Sequence, residues 1–172
     1  MMEMIKSLDW SPLWISLKTA VITTVICFFL GIFLARKVMK LPSPWDNFLD
    51  SLLTLPMVLP PTVAGFFLLL LFSKRRAFGS FLFEHFGIKV VQSFLGCVVA
   101  ATVISLPLMY RNARSAFSLV PKDLVYAGQT LGMSEFSIFW KIIVPLSAPG
   151  IFSGTVLSFA RALGEYGATS ML

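Results

Sequence analysis

The chain has 172 residues, of which 57% are hydrophobic and only 13% are charged. Soluble domains usually have about 45–50% apolar and about 25% charged residues, so the composition excludes an ordinary soluble domain and predicts an integral membrane protein. The formal net charge is +6, but the basic residues stand at the ends of apolar runs, as in Arg36-Lys37. Since charges that flank a membrane follow that pattern, we expect a lipid bilayer, and no nucleic acid, as their partner.

Four segments are long and apolar enough to cross a bilayer, which takes roughly 20 residues in a helix. Their apolar runs are continuous, which favours helices over alternating membrane strands. The sequence therefore predicts an all-α integral membrane protein with a single transmembrane domain over residues 1–172. The predicted spans cover about 13–35, 52–72, 93–110 and 144–163.

The second predicted span contains Pro56, Pro60 and Pro61. Each proline removes a backbone donor, and its ring clashes with the preceding helical turn, so this span cannot be one regular helix. Two interpretations are open. The prolines are a tolerated kink at a helix end, or they make a break that lines or gates a pathway, because irregular backbone in membranes is found beside cavities or other protein.

The longest polar stretch covers about 111–143, between the third and fourth spans. Its residues predict a helix, a stop at Gly132, a second helix capped by Ser134, and then a span opened by Pro145. The small residues Ala127 and Gly128 would let another backbone approach closely. The alternative is a plain polar loop.

Small residues recur at every fourth position of the fourth span, which favours close packing of this helix on a neighbour. They are Gly150, Gly154, Ser158 and Ala162. Cys27 and Cys97 lie inside apolar runs, and the sequence has no cluster of cysteine and histidine. We therefore expect no metal and no cofactor.

Orientation follows from the distribution of lysine and arginine, which are enriched on the cytoplasmic side. A small excess, including Arg111, Arg114 and Lys141, places residues 111–143 in the cytoplasm and the N-terminus outside. The opposing charges are Lys6, Lys74, Arg75, Arg76 and Lys89.

The polar stretch resembles the EAA loop, the cytoplasmic signature of ABC importer permeases. That pattern is Glu-Ala-Ala, three residues, Gly, nine residues and Ile-x-Leu-Pro. Here both gaps are intact, but Tyr126 replaces Glu, Gly128 replaces Ala and Val144 replaces Leu. The resemblance implies that this loop docks on an ATPase subunit. The loop residues it implicates are Tyr126, Ala127, Gly128, Gly132, Met133, Ile142 and Pro145.

Two further segments resemble molybdate ABC transporter permeases of the ModB type. Residues 55–66 are similar to their second-span signature, and residues 159–169 to a segment shared with sulfate permeases. The resemblance implies a type I importer bundle in a bacterial or archaeal cell membrane. It also implies a homodimer that forms the pathway, a cytoplasmic ABC ATPase dimer and an extracytoplasmic oxyanion-binding protein. ATP hydrolysis is then expected in the ATPase partner, and this chain is not expected to be an enzyme.

Arg161 and Glu165 lie one turn apart at the far end of the fourth span. Two interpretations are open: the two residues form an interfacial ion pair, or Arg161 contributes positive potential to an oxyanion route. Under the second interpretation Arg161 and Glu165, together with Pro56, Pro60 and Pro61, belong to the translocation pathway or its gate. Permeases of this type continue beyond the position of Leu172, so a fifth span is expected to be missing at the C-terminus.

Three alternatives remain open from the sequence. A sulfate or thiosulfate importer permease would use the same architecture. A membrane enzyme would need acid, base or metal-ligating groups at one depth, which the spans almost lack. A membrane anchor or channel with no ATPase would leave the EAA-like loop unexplained.

Overall fold

The computed structural model describes residues 11–73, 76–86, 90–165 and 169. Within these ranges every regular element is a helix, which confirms the prediction of an all-α membrane bundle. Some residues used above lie outside the described part. They are Lys6, Lys74, Arg75, Lys89 and the stretch 166–168.

The helices, in chain order, have the following bounds. They are α1 (Ser11–Val38), α2 (Trp45–Val58), α3 (Pro61–Phe72), α4 (Ala77–Phe86), α5 (Phe94–Ser118), α6 (Lys122–Thr130), α7 (Glu135–Ile138), a π-helical turn (Phe139–Ile143) and α8 (Val144–Leu163).

The centre of the bundle is α5, which packs against both α1 and α8 and, near its C-terminal end, against α2. Met109, Tyr110 and Ala113 of α5 are fully buried and form the main core with Cys27 of α1 and Ile151 of α8. Among the described residues, three helices are long and apolar enough to cross a membrane: α1, α5 and the continuous helix Glu135–Leu163. The bent pair α2 and α3 makes a fourth if the two are counted as one span.

The helix that contains the third predicted span is longer than that span. The span is predicted to end near Tyr110, whereas α5 continues to Ser118. Ala113, Ala116 and Phe117 of this extension are buried, at the three- and four-residue spacing of one helix face. This buried face keeps the polar stretch helical, so Arg111 and Arg114 lie in α5 and not in a loop.

The second predicted span is broken into α2 and α3, which meet at an angle of 111°. A residue before proline is pushed out of the helical region, and two consecutive prolines do this twice. Leu59 has φ −73° and ψ 142°, and Pro60 has φ −55° and ψ 136°. Pro61 then opens α3 at its first position, where its missing N–H costs nothing. Pro56, by contrast, lies inside α2.

The helix that contains the fourth predicted span also begins before Val144, the predicted start of that span. The helix begins at Glu135 and contains the π-helical turn Phe139–Ile143 before α8. Pro145 lacks an N–H group and would clash with the carbonyl one turn back. The π-helical turn lies immediately before this proline, and prolines and π-bulges are both places where a helix departs from regular geometry.

Candidate functional site

The polar connection after α5 forms a short helix with defined ends. Pro121 precedes α6 with φ −58° and ψ 128°, and Asp123 lies in its first turn, where a negative charge is favourable. At the other end, the N–H of Met133 donates to the carbonyl of Gly128 (3.0 Å) and the N–H of Gly132 to that of Gln129 (2.9 Å). These two bonds define a Schellman motif.

Gly132 occupies the left-handed position of that motif, with φ +74°. A Cβ atom at this position would have no other atom within 4 Å, so the residue faces open space. Two residues later, the hydroxyl of Ser134 accepts a hydrogen bond from the N–H of Ser137 and caps α7. The structure therefore contains the predicted order of elements: the helix α6, its end at Gly132, and the second helix α7 capped by Ser134.

The two small residues of α6 differ in their exposure. Ala127 is exposed, as is Tyr126, which stands where the EAA pattern has Glu. Gly128 is buried, and a Cβ atom there would lie 3.0 Å from Cδ1 of Ile142 and 3.2 Å from Cγ1 of Ile138. The expectation that Gly128 admits a foreign backbone needs correction, because its small size is used within this chain.

Packing of Gly128 explains the spacing of the loop residues. Ile142 belongs to the π-helical turn before Pro145. Gly128 of α6 therefore contacts the helix that leads into Pro145, through the side chain of Ile142. Met133, between them, is half-buried. The result is that α6 lies against the start of the long helix and presents only its outer face.

Residues at the end of α1 and just after it contact the start of the helix that begins at Glu135. Lys40 forms an ion pair with Glu135 at the start of α7, and the guanidinium carbon of Arg36 lies 3.8 Å from the ring centroid of Phe139. Phe117 of α5 packs edge-on to the same ring, with centroids 5.6 Å apart. A cavity of about 280 Å³ remains between these side chains and α6.

The small residues of α8 face α5. A Cβ atom on Gly150 would lie 2.5 Å from Cβ of Ala116, and one on Gly154 would lie 2.7 Å from Cβ of Asn112. Ser158 is buried, and its hydroxyl donates to the carbonyl of Ser105 (3.4 Å). The fourth of these residues, Ala162, is buried against Ala20 and Ala101.

The candidate pathway residues lie in two places. Pro60 and Pro61 form the sharp bend between α2 and α3, while Pro56 is one turn earlier. Arg161 Nη2 lies 3.7 Å from Glu165 Oε2 at the end of α8, and the Arg161 side chain is partly exposed whereas that of Glu165 is buried. The structure therefore pairs these two charges within the chain.

Sequence reasoning missed a polar network between α2 and α5. The guanidinium of Arg114 donates through Nη1 to Asp50 Oδ1 (2.6 Å) and to the Tyr110 hydroxyl (2.9 Å). The Tyr110 hydroxyl in turn donates to Asp50 Oδ1 (2.9 Å). Arg114 Nη2 also lies 2.7 Å from Asp46 Oδ1, as an ion pair without the alignment of a hydrogen bond.

The spacing of these residues in the sequence could have indicated the network. Asp46 and Asp50 are four residues apart, and so are Tyr110 and Arg114, so each pair lies on one face of its helix. The placement of Arg114 in a loop concealed the second pair.

A bundle of apolar helices with a broken span and a short exposed helix between two spans defines a multi-pass membrane protein. Comparison with known proteins defines the class further. Residues 27–172 match the family of binding-protein-dependent transport system inner membrane components. The chain belongs to this family, and it is a membrane component of such a transport system in the cell membrane.

Individual relatives are similar over most of the chain. The molybdenum transport system permease protein ModB of Escherichia coli K12 is 42% identical over 161 residues, which cover 94% of this chain and 70% of the relative. ModB of Haemophilus influenzae is 35% identical, covering 94% and 71%. These matches confirm the resemblance to ModB-type permeases.

A relative with a different printed function is also similar. The probable sulfate transport system permease protein cysT of Chlorokybus atmophyticus is 35% identical over 153 residues, which cover 89% of this chain and 53% of the relative. The sulfate alternative therefore has a counterpart among the relatives.

Proposed function

We propose that the chain is the membrane-spanning permease subunit of an ATP-driven importer of molybdate or tungstate. The similarity to ModB proteins, at up to 42% identity over 94% of the chain, supports this cargo. An extracytoplasmic binding protein would deliver the oxyanion, as the family description implies. Two copies of the chain would form the pathway between them.

One structural observation carries the ATP-driven part of the proposal. The helix α6 is held by its buried Gly128 and ends in the Schellman motif at Gly132, yet its outer face, with Tyr126 and Ala127, is exposed. A short, firmly held helix with a free outer face suits a contact that must transmit motion. We assign α6 as the coupling helix that docks in a cleft of a cytoplasmic ABC ATPase subunit.

Tyr126 gives that contact a different chemistry from the family pattern. An acidic residue at this position would bring a charge, whereas the Tyr126 side chain, 57% exposed, brings a ring and a hydroxyl. Aromatic side chains supply much of the binding energy at protein interfaces. A docking site with an apolar wall and a hydrogen-bond partner fits this residue.

The bend between α2 and α3 supports a role at the gate. Val58, next to the break, is 84% exposed, although valine in a bilayer helix needs an apolar neighbour such as lipid or protein. A second copy of the chain would cover it in the dimer. Arg161 at the far end of α8 would add positive potential along the route, with Glu165 setting its position.

A sulfate importer is the second candidate, supported by the cysT relative. Transport assays separate the two. The chain, its ATPase partner and its binding protein are reconstituted in liposomes, and uptake of labelled molybdate is measured with unlabelled tungstate or sulfate as competitor. We expect competition by tungstate and little by sulfate. Equal competition by sulfate would contradict the assignment of molybdate as the cargo, but it would not contradict the assignment of the chain to an importer.

A further inference from the structure

The polar network of Arg114 joins the two moving parts of the proposed mechanism. Arg114 lies on α5, which leads directly into α6, the proposed coupling helix. Its carboxylate partners Asp46 and Asp50 lie in the first two turns of α2, which leads into the 111° bend. One guanidinium thus connects the helix beside the ATPase contact to the broken span.

Packing elsewhere along α2 is weak, which makes this connection important. None of the 14 residues of α2, all of them described, is fully buried. Leu49 and Leu53 are only partly buried against the main core. By comparison, Tyr110 is fully buried, and the side chain of Arg114 is only 24% exposed. The network is therefore the main directional contact of α2 with the bundle.

The chemistry of the network depends on arginine. A guanidinium is planar and presents several N–H donors at fixed angles, so it can contact two carboxylates and a hydroxyl together. A lysine ammonium would keep the charge but not this geometry. Partial burial also strengthens the interactions, because fewer water molecules screen the charges.

We infer that Arg114 is a positioning residue that transmits movement of the coupling helix to the gate through Asp46 and Asp50. This inference rests on the proposed function. When α6 is displaced by the ATPase, α5 moves with it, and the network carries α2 and the bend along. Without the network, the ATPase still docks and hydrolyses ATP, but α2 no longer follows.

The test measures how many ATP molecules are hydrolysed for each molybdate imported in reconstituted liposomes. Both rates are measured on the purified, assembled complex, so the ratio does not depend on how much of the protein is folded. Arg114→Gln removes the charge-assisted hydrogen bonds to Asp50 and Tyr110, so it is expected to raise the ratio by about tenfold or more. Arg114→Lys is expected to fall between Arg114→Gln and the unchanged chain.

Two further variants keep the inference testable if Arg114→Gln fails to fold. Tyr110→Phe removes one hydroxyl at nearly constant volume, and Asp50→Asn removes one charge; both are expected to raise the ratio by a smaller factor. Arg111→Gln, an exposed position on the same helix, is the matched control and is expected to leave it unchanged.

The outcomes separate this inference from the proposed function. An unchanged ratio in Arg114→Gln, or in Tyr110→Phe and Asp50→Asn where the first does not fold, overturns the role of the network and leaves the importer in place. An equal rise in Arg111→Gln also overturns it. If the unchanged chain shows no ATP-dependent uptake at all, the proposed function fails and this inference fails with it.

Discussion

Gly128 and Ile142 are in direct contact, since a Cβ atom on Gly128 would lie 3.0 Å from Cδ1 of Ile142. This contact holds α6 against the helix that begins at Glu135. It favours a small residue at position 128, because a larger side chain would have to displace the end of Ile142. The exposed neighbour Ala127 has no such constraint.

Gly128→Val is therefore expected to destabilise the protein, whereas Ala127→Val is not. Overpacking of this kind usually costs about 1–3 kcal/mol. Thermal unfolding of the purified protein in detergent checks the difference. Equal midpoints for the two variants would mean that α6 does not rest on Ile142.

Two substitutions of Gly132 separate the effect of backbone strain from the effect of side-chain bulk. A non-glycine residue in the left-handed region costs roughly 1–2 kcal/mol, and both Gly132→Ala and Gly132→Trp incur this cost. Only the Trp side chain would fill the open space beside the motif. We expect Gly132→Trp to lose co-purification with the ATPase subunit and Gly132→Ala to retain it. Retained association and uptake in Gly132→Trp would contradict the coupling role of this loop.

Gly154 tests the packing of α8 on α5. A Cβ atom there would lie 2.7 Å from Cβ of Asn112, so Gly154→Leu must push the two helices apart and is expected to lower the unfolding temperature markedly. Val156→Leu, on the exposed side of α8, is the control and is expected to change little. Tolerance of Leu at position 154 would show that the two helices do not pack closely at this point.

The bend between α2 and α3 is expected to depend on Pro60 and Pro61. Replacing both with alanine restores the missing N–H groups and frees the preceding residues for helical angles, so the two segments should straighten. The distance between spin labels at the exposed positions Phe48 and Leu71 should then increase, and pulsed electron paramagnetic resonance measures that distance. Pro56→Ala, inside α2, should leave the distance unchanged. No change in the double variant would assign the bend to tertiary packing.

Much of the fold could be predicted from local patterns. The apolar runs indicated the spans, the prolines excluded one regular helix in the second span, and Gly132 and Ser134 indicated the ends of two short helices. Each of these features depends on residues within a few positions of one another. Local chemistry alone determines them.

Other features depend on neighbours that are distant in sequence. The network of Asp50 and Arg114 joins residues 64 positions apart, so it becomes visible only when α2 and α5 are side by side. The same holds for the end of α5, where Arg111 and Arg114 indicated a loop but the buried Phe117 continues the helix. The inward direction of Gly128 likewise follows from the position of Ile142.

We propose that this chain couples ATP hydrolysis by its partner to oxyanion import. The most direct measurement is uptake of labelled molybdate by liposomes that contain the chain and its ATPase partner, with the binding protein on the side opposite to ATP. We expect uptake to require ATP, the binding protein and the chain together. Uptake that persists without ATP, or that is equal in liposomes lacking the chain, would contradict it.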